Sequence, residues 1–338
     1  MKILYHLTSP APSIPDADAV FQDVRWLQEE FGGDFNSLYP LKSFISYYPR
    51  SLYGIHCLTD LLKMDKVVDV HHVFFTDLYI FPTLRVLKKP VIYSVIAGLQ
   101  GSRKPELPPN AHVVINNERD KEKLRSWNIS AYTLIRPGID VSRFTPSYRP
   151  VENEFVLMAG SAPWVKAQFK QKGFDALFDA VSRMPRVRLI CLWRGLLYDE
   201  AMKRIADHGI ADRVEIINKK VNVKNVLDHV HAAIVLADDP SVVKAYPHSL
   251  LEALASGKPA IINAGIPMAD YVARHRCGYV IDTISPDSIC DAISKLANDY
   301  DHYVKNALHV GKKDFSLETL VSSYRDLYES VVKSSKYA

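Results

Sequence analysis

The stretch PSVVKAYPHSLLEALASGKP, from Pro240 to Pro259, decides how the rest of the chain is read. It follows an apolar run, Ala232 to Ala237, with the composition of a buried strand. Pro247 suits a first helical turn, Leu250, Leu251 and Leu254 fall on one apolar face, and Gly257 with Pro259 stops the pattern. A helix is therefore predicted to start just past a strand. Such a start presents open N–H groups and the positive end of the helix dipole, which suits a phosphate, with His248 and Ser249 at its lip. Glu252 lies about one turn further in, where a carboxylate can accept hydrogen bonds from sugar hydroxyls such as those of a ribose. From spacing alone, an ordinary strand, loop and helix with a solvated Glu252 fits equally well.

Outward from this stretch, strand-like and helical segments alternate in both halves of the chain. Lys2 to Leu7, Phe35 to Tyr39, Val67 to Phe75, Pro90 to Val95 and Ala111 to Ile115 read as strands of a first sheet. Phe155 to Gly160, Val187 to Trp193 and Ala232 to Ala237 read as strands of a second. The alternation predicts an α/β protein with two doubly wound, Rossmann-like domains facing across a cleft. The Pro-Gly segment Arg136 to Pro146 suits a semi-rigid linker, so the domains are expected at 1–148 and 149–316, with an amphipathic helix over 317–338 packing back on the first.

The chain has 338 residues, 48% of them hydrophobic, which is enough for two cores. Lys+Arg 42 against Asp+Glu 38, with no block of five or more like charges, argues against nucleic acid as a partner. The weakly basic balance leaves room for peripheral contact with the inner membrane surface. Cys57, Cys191, Cys277 and Cys290 lack C-x-x-C spacing, so neither a zinc site nor a disulfide framework is expected. No run reaches the roughly 18 apolar residues of a membrane span, and the opening MKILYHLTSPAPS reads as a first strand rather than a signal peptide, so a cytoplasmic protein is expected. His71 and His72, adjacent on a strand, point to opposite faces, and one of them is a candidate to face the cleft.

Pro240-Ser241, Tyr246-Pro247, Leu251-Glu252-Ala253-Leu254-Ala255 and Gly257-Lys258-Pro259 resemble, in register, the donor-site signature of the retaining GT-B glycosyltransferases of group 1, the family 4-like enzymes with a Glu-x7-Glu pattern. The resemblance implies two Rossmann-like domains and transfer of a sugar from a nucleotide-sugar donor to a hydroxyl acceptor, a saccharide or lipid-linked saccharide of a cell-surface polysaccharide. It implies a donor site built from Gly160, Lys172, Gly173, Arg194, Lys219, Tyr246, Pro247, His248, Ser249 and Glu252, with no metal and no cofactor. Pro15, Asp16 and Gly98 would line the acceptor side.

The chain departs from the family at four places near the expected chemistry. Lys244 stands where the first glutamate belongs, Ile96-Ala97-Gly98 lacks the usual histidine, Ser161 replaces an arginine, and the loop after the first strand has no glycine. An ammonium beside a sugar ring that is becoming cationic would raise the barrier, so Lys244 is expected to turn to the departing diphosphate or to a carboxylate on the donor sugar. Lys244 and His72 are the catalytic candidates. The competing class is a catalytically degenerate GT-B protein that binds sugar nucleotides or serves as a partner subunit.

Overall fold

Strands rich in apolar and β-branched residues form two six-stranded, all-parallel sheets in the computed structural model, which describes residues 1–9, 19–41, 48–99, 101, 103–193 and 196–336. Parallel strands buried on both faces need helical crossovers, and these are what the intervening amphipathic segments supply.

The first unit comprises Met1–Pro137 and Glu318–Ala338. Its elements are β1 (Ile3–Leu7), α1 (Ala19–Phe31), β2 (Asp34–Ser37), α2 (Leu58–Met64), β3 (Val70–Phe75), β4 (Val91–Val95), β5 (Ala111–Ile115), α3 (Glu118–Ser126) and β6 (Tyr132–Leu134). The strand order is β2-β1-β3-β4-β5-β6. Asn117 caps α3 by accepting from the Asp120 amide, while its own Nδ2 donates to the Asp120 carboxylate at 2.7 Å. The cap satisfies one end amide that the helix itself cannot.

The second unit is Gly138–Leu317. It runs β7 (Phe155–Ala159), α4 (Ala167–Gln171), α5 (Phe174–Arg183), β8 (Val187–Leu192), α6 (Tyr198–Asp207), β9 (Val214–Ile217), α7 (Val223–Leu227), β10 (Ala232–Val235), α8 (His248–Ala255), β11 (Ala260–Asn263), α9 (Met268–His275), β12 (Gly278–Ile281), α10 (Pro286–Asn298) and α11 (Tyr300–Lys313). Alternation along β7 sends Val156 and Met158 into a core shared with Leu250, Leu251 and Leu254 of α8. Phe155, Leu157 and Ala159 go to the other face, against Leu177, Phe178 and Val181 of α5. The sheet order β12-β11-β10-β7-β8-β9 reverses direction between β7 and β10. Ligands of open α/β sheets bind outside the carboxyl ends of the strands at such a switch point.

The last helix, α12 (Leu317–Lys336), packs within the first unit, where Tyr324 and Tyr328 are buried. The division between the units falls at 137/138 rather than 148/149. Ile139 and Phe144 belong to the second unit's core, and Ile139 pairs with Ser316 in a β-bridge, so the Pro-Gly segment is anchored there. The segment from Ser161 to Gln171 ends in the short helix α4, in which Phe169 is buried. Among the described residues no helix is long and apolar enough to cross a membrane, and all four cysteines are free thiols.

Candidate functional site

The carboxyl ends of β7 and β10 carry most of the residues singled out in the second unit. Gly160 leaves β7, and a Cβ placed on it would lie 2.7 Å from Ser249 Cβ. Only hydrogen fits there, so the backbone after β7 sits directly against the first turn of α8. Pro247 is the N-cap of α8, with extended backbone at φ −65° and ψ 124°, and not its first helical residue. No side chain caps α8, and the amides of Leu250 and Leu251 close on the Pro247 carbonyl. The positive end of the helix therefore opens at His248 and Ser249, next to Gly160.

Lys172 ends α4, and its ammonium donates to Ser161 Oγ at 3.2 Å and to the Ala162 carbonyl at 3.0 Å. The side chain is 8% exposed, and burial lowers its pKa from 10.5 to about 8. Gly173 follows in the left-handed region at φ +66°, and a Cβ on it would lie 2.9 Å from Leu236. The Asp238 amide donates to the Gln171 carbonyl at 2.7 Å, which ties the loop after β10 to the Lys172-Gly173 turn. On the other side, Asn263 clamps the end of β10 by accepting from the Ala237 amide and donating to its carbonyl. The sequence carried no evident mark of Asn263, because a strand-end asparagine is common.

Tyr246 is buried in the second unit's core, packed near Tyr271 and Phe315. Lys244 is half-buried with its Nζ shielded from solvent. Burial holds the His248 imidazole well below its usual pKa, and the neighbouring Lys244 ammonium adds to the effect, so His248 is neutral at pH 7. Glu252 is half-buried on α8, one turn in from Ser249. Lys219 is exposed past β9, two strands over from β7 and so roughly 10 Å across the sheet from Gly160. Arg194 lies outside the described residues, as do Pro15 and Asp16.

His72 is corrected from a candidate catalytic group to a packed core residue. It is fully buried in β3, with Nδ1 bonded to Tyr328 Oη and Nε2 to Ser94 Oγ, each at 2.7 Å. Burial lowers its pKa to about 3, so it is neutral, and both ring nitrogens are occupied. His71, on the opposite face, is bonded to His6 and Asp65. Gly98 forms the turn after β4 at φ +91°, beside the Asp120 carboxylate, which accepts from the Leu99 amide at 2.9 Å. Burial raises the Asp120 pKa, against the hydrogen bonds from Leu99 and Asn117.

The second of the two parallel Rossmann-like sheets thus carries an open helix start, a close-approach glycine and a buried lysine at its switch point. Residues 154–310 match the family described as glycosyl transferases group 1. The chain is similar to D-inositol 3-phosphate glycosyltransferase of Mycobacteroides abscessus, 28% identical over 213 residues that cover 59% of this chain and 47% of the relative. It thus spans about half the length of the curated relatives it matches. The fold is similar to that of HepE from Anabaena, crystallised with UDP and glucose, at a TM-score of 0.71 and 14% identity over 98% of this chain and 100% of that one. It is similar also to WaaG, a glycosyltransferase involved in lipopolysaccharide biosynthesis, at 0.69 and 14% over 97% and 99%. The fold is therefore of the GT-B class.

Proposed function

We propose that the protein transfers a sugar from a nucleotide-sugar donor to a hydroxyl acceptor, with retention at the anomeric carbon and without a metal. The observation that carries this reading is the meeting of Gly160, Ser249 and the Lys172-Gly173 turn at the switch point between β7 and β10. HepE, a structural neighbour, has been crystallised with UDP-glucose. In this reading the α8 start and the Lys172 ammonium hold the donor diphosphate, and Glu252 accepts from the ribose hydroxyls. The transition state gathers negative charge on the departing diphosphate, so fixed cations and amides there lower the barrier. Lys244 serves the same charge or a carboxylate on the donor sugar. The acceptor is a saccharide or lipid-linked saccharide of a cell-surface polysaccharide, met at the inner membrane surface from the cytoplasmic side.

A thermal-shift panel of nucleotides and nucleotide sugars tests the donor site, because a ligand that binds only the folded state raises its apparent stability. Stabilisation by one nucleotide, and more by its sugar conjugate, is expected. No shift with any of them overturns the reading. Nucleotide binding with neither transfer nor hydrolysis across a broad panel would make the protein a non-catalytic sugar-nucleotide binder. Anomeric analysis of the product decides retention. Equal turnover in wild type, Lys244→Glu and Lys244→Ala would remove Lys244 from the mechanism.

A further inference from the structure

The first sheet runs β2-β1-β3-β4-β5-β6, so its strand order reverses between β1 and β3. A ligand crevice is expected outside the carboxyl ends of those two strands. Phe75, the last residue of β3, is half-buried there, and the Arg50 guanidinium lies over its ring, 4.9 Å from the centroid. A contact with a ring face consumes none of the five guanidinium N–H donors. Arg50 is exposed, and among the described residues no carboxylate pairs with it. Arg85 is the contrast, because it is exposed too but its Nη1 reaches Glu106 at 3.4 Å. Asp77, the carboxylate nearest to Phe75 in sequence, accepts from the Leu78 amide at 2.8 Å, and its Oδ2 lies beside Gly101. The loop that carries Arg50 is fixed at several points. Arg50–Leu52 form one 3-10 turn, the Gly54 amide donates to the Leu38 carbonyl at 2.8 Å, and Thr83 Oγ1 donates to the Tyr53 carbonyl at 2.7 Å. The Tyr53 ring stacks on Phe81 at 5.5 Å, and Phe81 packs edge-on against Phe75 at 5.2 Å.

We propose that Arg50, held over Phe75, binds an oxyanion carried by the acceptor saccharide, either a carboxylate or a phosphate. The planar guanidinium fork matches both groups with two parallel N–H···O bonds. Its stacking on Phe75 and the anchored loop hold it in place beforehand, which reduces the entropy lost on binding. Tyr79, half-buried with its ring centroid 6.3 Å from that of Phe75, borders the site with a hydroxyl that can donate or accept. A neutral saccharide leaves the guanidinium without a counter-charge, whereas an acidic one supplies it. The proposal rests on the transfer reaction inferred above and narrows its acceptor to an acidic one.

The test is a ligand-observed NMR titration of the full chain with glucose, glucuronate and glucose 6-phosphate, for wild type, Arg50→Gln, Arg50→Lys and the control Arg85→Gln. Wild type and Arg85→Gln are expected to bind at least one acidic probe more tightly than glucose, and more weakly as salt rises. Arg50→Gln should weaken that binding at least about tenfold, the worth of one charge-assisted hydrogen bond, with an unchanged circular-dichroism melt. Arg50→Lys keeps the charge without the fork and should fall between the two. Preference for glucose 6-phosphate assigns the recognised group as a phosphate, and preference for glucuronate as a carboxylate. No binding of either acidic probe by wild type, equal binding of glucose, or equal affinity in wild type and Arg50→Gln would each overturn the proposal. So would a loss in Lys172→Met and not in Arg50→Gln, which would place the anion at the donor site. Stabilisation by nucleotide sugars, read separately, is expected to be the same in wild type and Arg50→Gln. Its absence from both would defeat the donor reading, whereas the probe titration decides Arg50 by itself.

Discussion

Replacing Lys172 by methionine should make the protein more stable and a poorer binder of nucleotide at once. The Lys172 ammonium is buried, and its pKa is lowered from 10.5 to about 8 by that burial. The distance from 10.5 to about 8, at 1.36 kcal/mol per pH unit, corresponds to about 3 kcal/mol of destabilisation. Because the folded pKa lies below the unfolded one, that penalty is fully present below pH 8 and is relieved as pH rises toward 10.5. Methionine removes it but forfeits the hydrogen bonds to Ser161 and Ala162, each worth about 1 kcal/mol. A net gain of about 1–2 kcal/mol at pH 7 is expected, read as a higher urea midpoint with an unchanged slope. Nucleotide diphosphate affinity should fall by about tenfold to about a hundredfold, the worth of one charge-assisted hydrogen bond. Wild-type affinity should itself weaken about tenfold per pH unit above 8, as the free enzyme loses the Lys172 proton, and Lys172→Met should show no such slope. A variant less stable than wild type with unchanged affinity, or a wild-type Kd flat from pH 7 to 9.5, would refute the reasoning.

Three further outcomes follow from single side chains. Lys258 is fully buried, its Nζ has no hydrogen-bond partner among the described residues, and burial lowers its pKa to about 8 against the pull of Asp228. Lys258→Met should therefore stabilise the protein by about 1–3 kcal/mol at pH 7, and the advantage should shrink from pH 8 to 10.5; a loss of stability in a urea titration would contradict this. Gly160→Ala would force a Cβ to within 2.7 Å of Ser249, so a loss of about 1–3 kcal/mol and at least tenfold weaker nucleotide binding by calorimetry are expected. Tyr328→Phe strips a hydrogen bond from buried His72 and should cost about 1–3 kcal/mol by denaturant melt with nucleotide affinity unchanged; weaker nucleotide binding would reopen a site role for His72.

How much was legible in the sequence depended on how local the cause was. Most strands were readable to within a few residues because a run such as Phe155–Ala159 is apolar on both faces. β6 left no mark, since Tyr132–Leu134 is only three residues at a sheet edge and half-buried. Helix α4 hid in a polar segment because a single residue, Phe169, carries its burial.

The sequence by itself determined the two-sheet α/β class and the strand, loop and helix around Pro240–Pro259, because periodicity and turn chemistry act over a few residues. Only the tertiary structure decided which residues meet. It set β7 beside β10, so that Gly160 touches Ser249 while Lys219 stands two strands away. It also gave His72 a partner 256 residues distant in Tyr328, turning a candidate base into a neutral core residue. Burial and pairing across such separations depend on the order of strands in a sheet, and that order is set by packing of the whole chain and not by any local pattern.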